Sequence, residues 1–274
     1  MTGAALGAVT AWAAGAALVV LLGAFAVGAA RGLHRVVDVA WGLAFAAVSG
    51  VVFAVSAGAG DPGRRWLLWA LPTVWGVRLA AHIAWRSRGH GEDPRYERML
   101  GRVPARRRTR YALRKVYLLQ AALVWFVSAP IQVGAVAEGA GPGVLAWVGV
   151  GVWALGVVFE AVGDWQLARF KADPAHRGMI MDRGLWSWTR HPNYFGDFCV
   201  WWGIWLVAAD AGWEPALISV AAPLLMTFLL TAGSGKALLE RHMADRPGWA
   251  EYRARTSGFF PRPPRRGPVG DAVR

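Results

Sequence analysis

Long apolar runs alternate with short, arginine-rich connections along almost the whole chain. Runs near residues 5–30, 38–57, 66–85, 116–137 and 143–163 approach or exceed the length of helix, roughly 17–25 residues, that crosses about 30 Å of hydrocarbon. Two more follow near 197–209 and 213–233. The sixth is short and carries Asp197 at its start, so it is expected to be tilted, broken or packed against its neighbours. The pattern predicts an all-α fold: a polytopic transmembrane helical bundle of about seven spans in a single integral membrane domain covering residues 1–274. The longest polar stretches, a basic loop at 86–115 and a tail at 234–274, are too short to bury a core of their own. No basic segment precedes the first run, and Arg31, His34 and Arg35 follow it in place of a small-residue cleavage site, so it reads as a retained helix.

Charge adds direction to this picture. The chain is 55% hydrophobic yet carries a net charge of +13, so the two properties must be segregated along it. With seven spans, 27 of the 30 Lys and Arg residues fall in loops on one side and two on the other. The positive-inside rule then puts the N-terminus outside and the C-terminus in the cytoplasm, and makes the protein a multi-pass resident of the inner, cytoplasmic membrane. Topology and anionic membrane lipid account for the basic loops, so nucleic acid is not expected as a partner. The single cysteine, Cys199, lies in an apolar run and offers neither a disulfide nor a cysteine metal site.

Polar side chains in or beside the spans mark the candidate chemistry. At the end of the fifth run stand Glu160, Asp164, Gln166, Arg169 and Lys171, with Glu160 and Asp164 on one helical face. Arg190-His191-Pro192-Asn193-Tyr194-Phe195-Gly196-Asp197 then leads into the sixth run. Pro192 suits a first helical turn, and a helix N-terminus preceded by Arg190 and His191 is expected to hold a phosphate or carboxylate. A third group, Ser234-Gly235-Lys236 with Glu240, Tyr252 and Phe259-Phe260-Pro261, reads as an interfacial amphipathic tail anchored by Trp249, Tyr252 and Phe259. In the N-terminal half, Asp38 is an isolated carboxylate for which an ion pair with Arg78 is the plain structural reading. His82 shares a face with Arg78, and Glu92-Asp93-Pro94-Arg95-Tyr96 forms a polar turn.

These motifs carry a family resemblance. Asp164-Trp165-Gln166, Gly184-Leu185-Trp186, Arg190 to Gly196, Glu240 and the Tyr252 to Pro261 tail resemble the bacterial DUF1295 family, itself similar to the C-terminal domain of steroid 5α-reductases. Asp38 to Gly42, Trp75 to Leu79, Glu92 to Tyr96 and Leu119-Gln120 extend the resemblance over almost the whole chain. It implies a seven-helix membrane reductase that uses NADPH to reduce an activated carbon–carbon double bond, as in a 3-oxo-Δ4 steroid. Carried over by motif, Asp164, Arg190, His191, Asn193 and Tyr194 fall among the cofactor-binding residues, with Asp197, Glu240 and Tyr252 as looser matches. Gln166, Arg169, Lys171, Arg177 and Arg183 join them as neighbours of suitable chemistry. The Gln-Glu-Leu-Pro catalytic motif of the steroid enzymes is missing. Asp38, His82 or Tyr96 is expected to supply the acid instead.

No dinucleotide-binding Gly-x-Gly-x-x-Gly follows a strand, so the cofactor is expected between helices, with an apolar substrate drawn from the bilayer. Isoprenylcysteine and phospholipid methyltransferases share a similar His-Pro-x-Tyr-x-Gly turn, which makes S-adenosylmethionine the rival cofactor. A lipid or sterol binder without catalysis is the third reading. None of these features sets an oligomeric state or names the substrate.

Overall fold

Start and stop signals at the ends of the apolar runs turn them into helices. The computed structural model describes residues 2–233 and 235–264; Met1, Ser234 of the third motif and the end of the expected tail, 265–274, lie outside the described residues. Helix α1 spans Gly3–Arg31, where the Thr2 hydroxyl accepts from the Ala5 N–H at 3.4 Å and Gly32, at φ 67°, ends the helix by donating its N–H to the Gly28 carbonyl. Helices α2 (Val36–Val55) and α3 (Pro62–Arg86) follow, the latter capped by Asp61, whose carboxylate accepts from the Arg64 N–H at 2.7 Å.

The stretch expected as a basic loop is largely helical. It contains α4 (Pro94–Gly101) and α5 (Ala105–Ala112), and α5 runs through a π-helical turn, Leu113–Leu118, into α6 (Leu119–Val127). Arg is a good helix former, and a search for apolar runs passes over a helix built from it. Ser128 separates α6 from α7 (Ala129–Val136), and its hydroxyl donates to the Trp125 carbonyl at 2.8 Å. Beyond it lie α8 (Val144–Ala172), a 3-10 turn at Pro174–His176, α9 (Leu185–Trp188), α10 (Pro192–Ala209), α11 (Trp213–Ser219), α12 (Ala221–Thr231), α13 (Lys236–Met243) and α14 (Trp249–Arg255).

Among the described residues, six stretches are long and apolar enough to cross a membrane: Gly3–Arg31, Val36–Val55, Pro62–Arg86, Ala105–Val136, Val144–Ala172 and Trp213–Met243. The protein is an all-helical, multi-pass membrane protein, and its described residues hold no strand beyond one isolated parallel bridge between Thr189 and Ser257. The short sixth run belongs to an 18-residue helix, α10, which starts five residues earlier than the run and is not among the six.

Contacts divide the chain into two compact units, Met1–Val150 with Ile204–Ala222, and Gly151–Gly203 with Pro223–Arg274. In the first, α2 and α3 cross at two glycines. A Cβ on Gly42 would lie 2.3 Å from the Gly76 carbonyl oxygen, and a Cβ on Gly76 would lie 2.3 Å from that of Gly42. The Trp41-Gly42 and Trp75-Gly76 motifs are therefore packing devices: glycine lets the backbones meet while Phe45 and Trp75 pack edge to face at 5.6 Å. Gly76→Val is expected to cost roughly 1–3 kcal/mol through overpacking, lowering the thermal unfolding midpoint in detergent. Gly7→Val, at a position with open space around it, should leave that midpoint unchanged.

Elsewhere in this unit the buried Arg64 donates to the Ala140 carbonyl at 3.0 Å and pairs with Asp210 at 3.5 Å. Asp210 in turn accepts from the Gly143 and Ala146 N–H groups at 2.8 and 3.2 Å, capping the start of α8. In the second unit α8 meets α10 through another glycine pair. A Cβ on Gly156 would lie 2.5 Å from the Gly196 carbonyl oxygen, and one on Gly196 would also strike Glu160.

Candidate functional site

In the second unit, the candidate residues gather around the chain that leads from α8 into α10. Gln166 accepts from the Leu185 N–H at 3.0 Å, and its amide fills the space where a Cβ on Gly184 would stand. Gly184 sits at φ 59°, a conformation that glycine adopts without strain. The Trp186 indole donates to the Gly163 carbonyl at 3.0 Å, which holds the turn against α8.

The C-terminal segment is stitched onto this turn. Tyr252 donates its hydroxyl proton to the Trp186 carbonyl at 2.7 Å, the Thr189 hydroxyl donates to the Phe259 carbonyl at 2.8 Å, and the Arg190 N–H donates to the Ser257 carbonyl at 2.9 Å. Burial pushes the Tyr252 phenol above its ordinary range, so it stays protonated and keeps donating. Trp249, Tyr252 and Phe259 are buried in this junction and are not headgroup anchors, while Phe260 stays exposed. A linear reading of the tail as amphipathic misses the docking because its partners lie some 70 residues upstream.

Arg190 and Glu240 form the centre of the site. The Arg190 guanidinium donates Nε to Glu240 at 3.0 Å, brings Nη2 to the same carboxylate oxygen at 3.0 Å, and sends Nη1 to the carbonyls of Thr256 and Arg253 at 2.5 and 3.2 Å. His191 places Nε2 3.0 Å from Glu240, and its ring stacks on Tyr194 at 5.4 Å. Burial holds the His191 imidazole below its ordinary range against the opposing pull of Glu240, so its neutral form donates to the carboxylate. The expectation that Arg190 and His191 form an open anion site needs correction: most of the Arg190 donors are already committed inside the protein.

Beside this cluster lies a cavity of about 620 Å³, lined by Lys171, Arg177, Arg190 and Arg246 among the cations and by Asp173 and Glu240 among the acids. Trp186, Trp249 and a flat stack of Phe170 on His176, with centroids 4.3 Å apart, supply aromatic surface. A smaller cavity of about 350 Å³, lined by Trp165, Gln166, Arg169 and Arg183, shares the Phe170 and His176 wall.

The polar turn of the first unit is a bracket. Glu92 accepts from the His34 and Arg35 N–H groups, the latter at 2.8 Å, and so holds the start of α2. Asp93 caps α4 by accepting from the Arg95 N–H at 2.8 Å, and Pro94 opens that helix. The bracket delivers two side chains to Asp38: the Tyr96 hydroxyl donates to Oδ1 at 2.7 Å, and Arg95 Nη2 pairs with Oδ2 at 2.7 Å. Burial and the neighbouring Asp38 carboxylate push the Tyr96 phenol well above its ordinary range.

A family model described as "Protein of unknown function (DUF1295)" matches residues 24–256. The chain belongs to the DUF1295 family. No curated protein and no solved structure matches it.

In this DUF1295 protein, Asp38 and Tyr96 come together, while His82 lies on α3 with its ring 6.0 Å from that of Trp85. Lys171, Arg190, His191, Glu240 and Tyr252 line the larger cavity, and Gln166 and Arg169 line the smaller one. Asp164, Asn193, Tyr194 and Asp197 line neither. Asp164 is buried in α8, and the Asn193 side chain accepts from the Tyr194 N–H at 3.1 Å. Arg246 and His176 were not singled out by the motifs. In sequence each reads as an ordinary solvated polar side chain, and only folding turns it toward the cavity.

Proposed function

We propose that this DUF1295 protein is a membrane-embedded, NADPH-dependent reductase of an activated carbon–carbon double bond in an apolar substrate from the bilayer: a lipid or isoprenoid enone, or a 3-oxo-Δ4 steroid. The observation that carries the reading is the charge of the larger cavity. Four cations line it against two carboxylates, and one of those, Glu240, is engaged by Arg190. Its volume lies in the range of small-molecule sites. Such a lining suits a ligand with a diphosphate and a further phosphate, for which Arg177 and Arg246 offer bidentate donors. S-adenosylmethionine has no phosphate and carries a sulfonium cation, so the same lining speaks against it. A sterol binder without catalysis would have little use for four cations.

When bound, NADPH supplies the hydride. The chain's own residues do the rest. Glu240 fixes Arg190 and His191 in place, Arg177, Arg246 and Lys171 neutralise phosphate, and the Phe170–His176 stack and Trp249 offer flat surfaces to rings. Of the three acid candidates, we assign the proton to Tyr96, which holds it at its hydroxyl oxygen. Asp38 accepts from both Tyr96 and Arg95 and so acts as the ionised carboxylate that orients the phenol. As charge builds on a substrate carbonyl oxygen, the Tyr96 hydroxyl would turn its one proton from Asp38 to that oxygen and stabilise it, leaving Asp38 paired with Arg95.

The seven-span topology, with α10 as the additional span, the N-terminus outside and the C-terminus in the cytoplasm of a cell with an inner membrane, is part of the same proposal. The one-sided distribution of Lys and Arg supports it. Titrating the protein in nanodiscs with NADPH and, in parallel, with S-adenosylmethionine tests the reading: only NADPH should bind saturably.

A further inference from the structure

We propose that the groove formed by α5 and the π-helical turn after it binds the phosphate of an anionic phospholipid headgroup. The groove measures about 540 Å³, and Arg102, Arg107, Arg110, Arg114 and Lys115 line it with Tyr111; no acidic residue does. Among the described residues, none of these five cationic side chains makes a hydrogen bond or an ion pair. Arg108 behaves differently, donating Nε to the Val103 carbonyl at 3.0 Å and so folding the preceding loop back on α5. The groove is therefore a concave cluster of five like charges with no internal counter-ion, an arrangement that a phosphate would relieve.

Helix geometry explains how the cations converge. Arg107, Arg110 and Arg114 share one face of α5 and its continuation, at spacings of three and four residues. Lys115 would drift off that face in a straight α-helix. The chain instead makes a π-helical turn at Leu113–Leu118, where hydrogen bonds reach one residue further and rotation per residue lags. Lys115 turns away from that face less than it would in a straight α-helix, and it lines the groove with the three arginines. Turns of this kind are rare and occur often at binding sites.

Position identifies the source of the phosphate. The groove stands at the N-terminal end of Ala105–Val136, a stretch long and apolar enough to cross a membrane, and the chain becomes apolar directly after Lys115. A ligand held there lies at headgroup depth, where anionic lipids concentrate and where a half-buried Tyr111 is at home.

The test uses the purified full chain in mixed micelles, titrated with phosphatidylglycerol, phosphatidylcholine and soluble glycerol phosphate, with bound lipid read by native mass spectrometry. Phosphatidylglycerol should be retained over phosphatidylcholine. The triple variant Arg107→Gln, Arg110→Gln, Arg114→Gln should lower phosphatidylglycerol occupancy at least about tenfold, whereas changing the same three residues to Lys should keep most of it. These side chains are exposed and unpaired among the described residues, so the unfolding midpoint should not move. If the triple Gln variant does not stay monodisperse, Arg110→Gln and Lys115→Gln singly carry the test, each expected to weaken retention about threefold. Undiminished phosphatidylglycerol retention in the Gln variants would overturn the proposal. So would glycerol phosphate binding as tightly as the lipid, which would make the groove a site for a soluble phosphate.

Discussion

Replacing Tyr96 by Phe is expected to lower kcat for enone reduction by about 10²–10⁴-fold, the usual contribution of a positioned proton donor, while leaving NADPH affinity unchanged. The substitution removes one oxygen and keeps the ring. Asp38 loses the phenol donor at 2.7 Å but keeps Arg95, so the carboxylate is not left alone. The bracket that delivers residue 96 is untouched, because Glu92 still holds the start of α2 and Asp93 still caps α4. Rapid-reaction kinetics separate the two roles: a donor lost from the chemical step reduces turnover at saturating cofactor, whereas a merely structural phenol would alter binding and stability instead. A Tyr96→Phe protein with native turnover would remove Tyr96 from the chemistry and return the assignment to Asp38 or His82.

Glu240→Ala should have the opposite profile, a large loss of stability. One carboxylate oxygen receives Arg190 through two nitrogens as well as the His191 ring. Removing it leaves a largely buried guanidinium without its charge partner, a change that costs about 3–5 kcal/mol where such pairs have been broken. The loss should appear as a lower unfolding midpoint and as faster proteolysis of the tail from Trp249 onward, since Arg190 also holds the Thr256 and Arg253 carbonyls. Arg246→Gln, in the same cavity but outside that cluster, should leave the midpoint near native. Its effect should fall on NADPH affinity, weakened about 10–100-fold by the loss of one charge-assisted contact. If the two variants proved equally unstable, Arg246 would be a structural cation and not a cofactor contact.

The contrast between Glu240 and Arg246 also marks how much of the site was legible in the sequence. Spans that bury or expose apolar surface announce themselves through run length, so α1, α2 and α3 lie close to where the pattern puts them. The helices at 94–112 left no such signal because charged residues build them. The motifs single out Arg190 and His191 as an anion site at a helix start and Glu240 as part of an amphipathic tail, and hide their mutual pairing because it joins residues about 50 apart. In the sequence Asp38 and Tyr96 look unrelated, one an isolated carboxylate and the other part of a polar turn. Their hydrogen bond across 58 residues makes them one unit. Arg246 had no local signal, since a lone arginine on a polar tail reads as a solvated charge until the cavity beside it is known.

The proposed reductase needs the cavity beside Arg190 and Glu240 to take NADPH. Calorimetric titration of the protein in nanodiscs, with NADPH in one series and S-adenosylmethionine in the other, tests it most directly. Saturable NADPH binding that weakens with added salt and with Arg246→Gln, alongside no heat from S-adenosylmethionine, is the predicted result. Saturable S-adenosylmethionine binding with no response to NADPH would contradict it, as would silence from both.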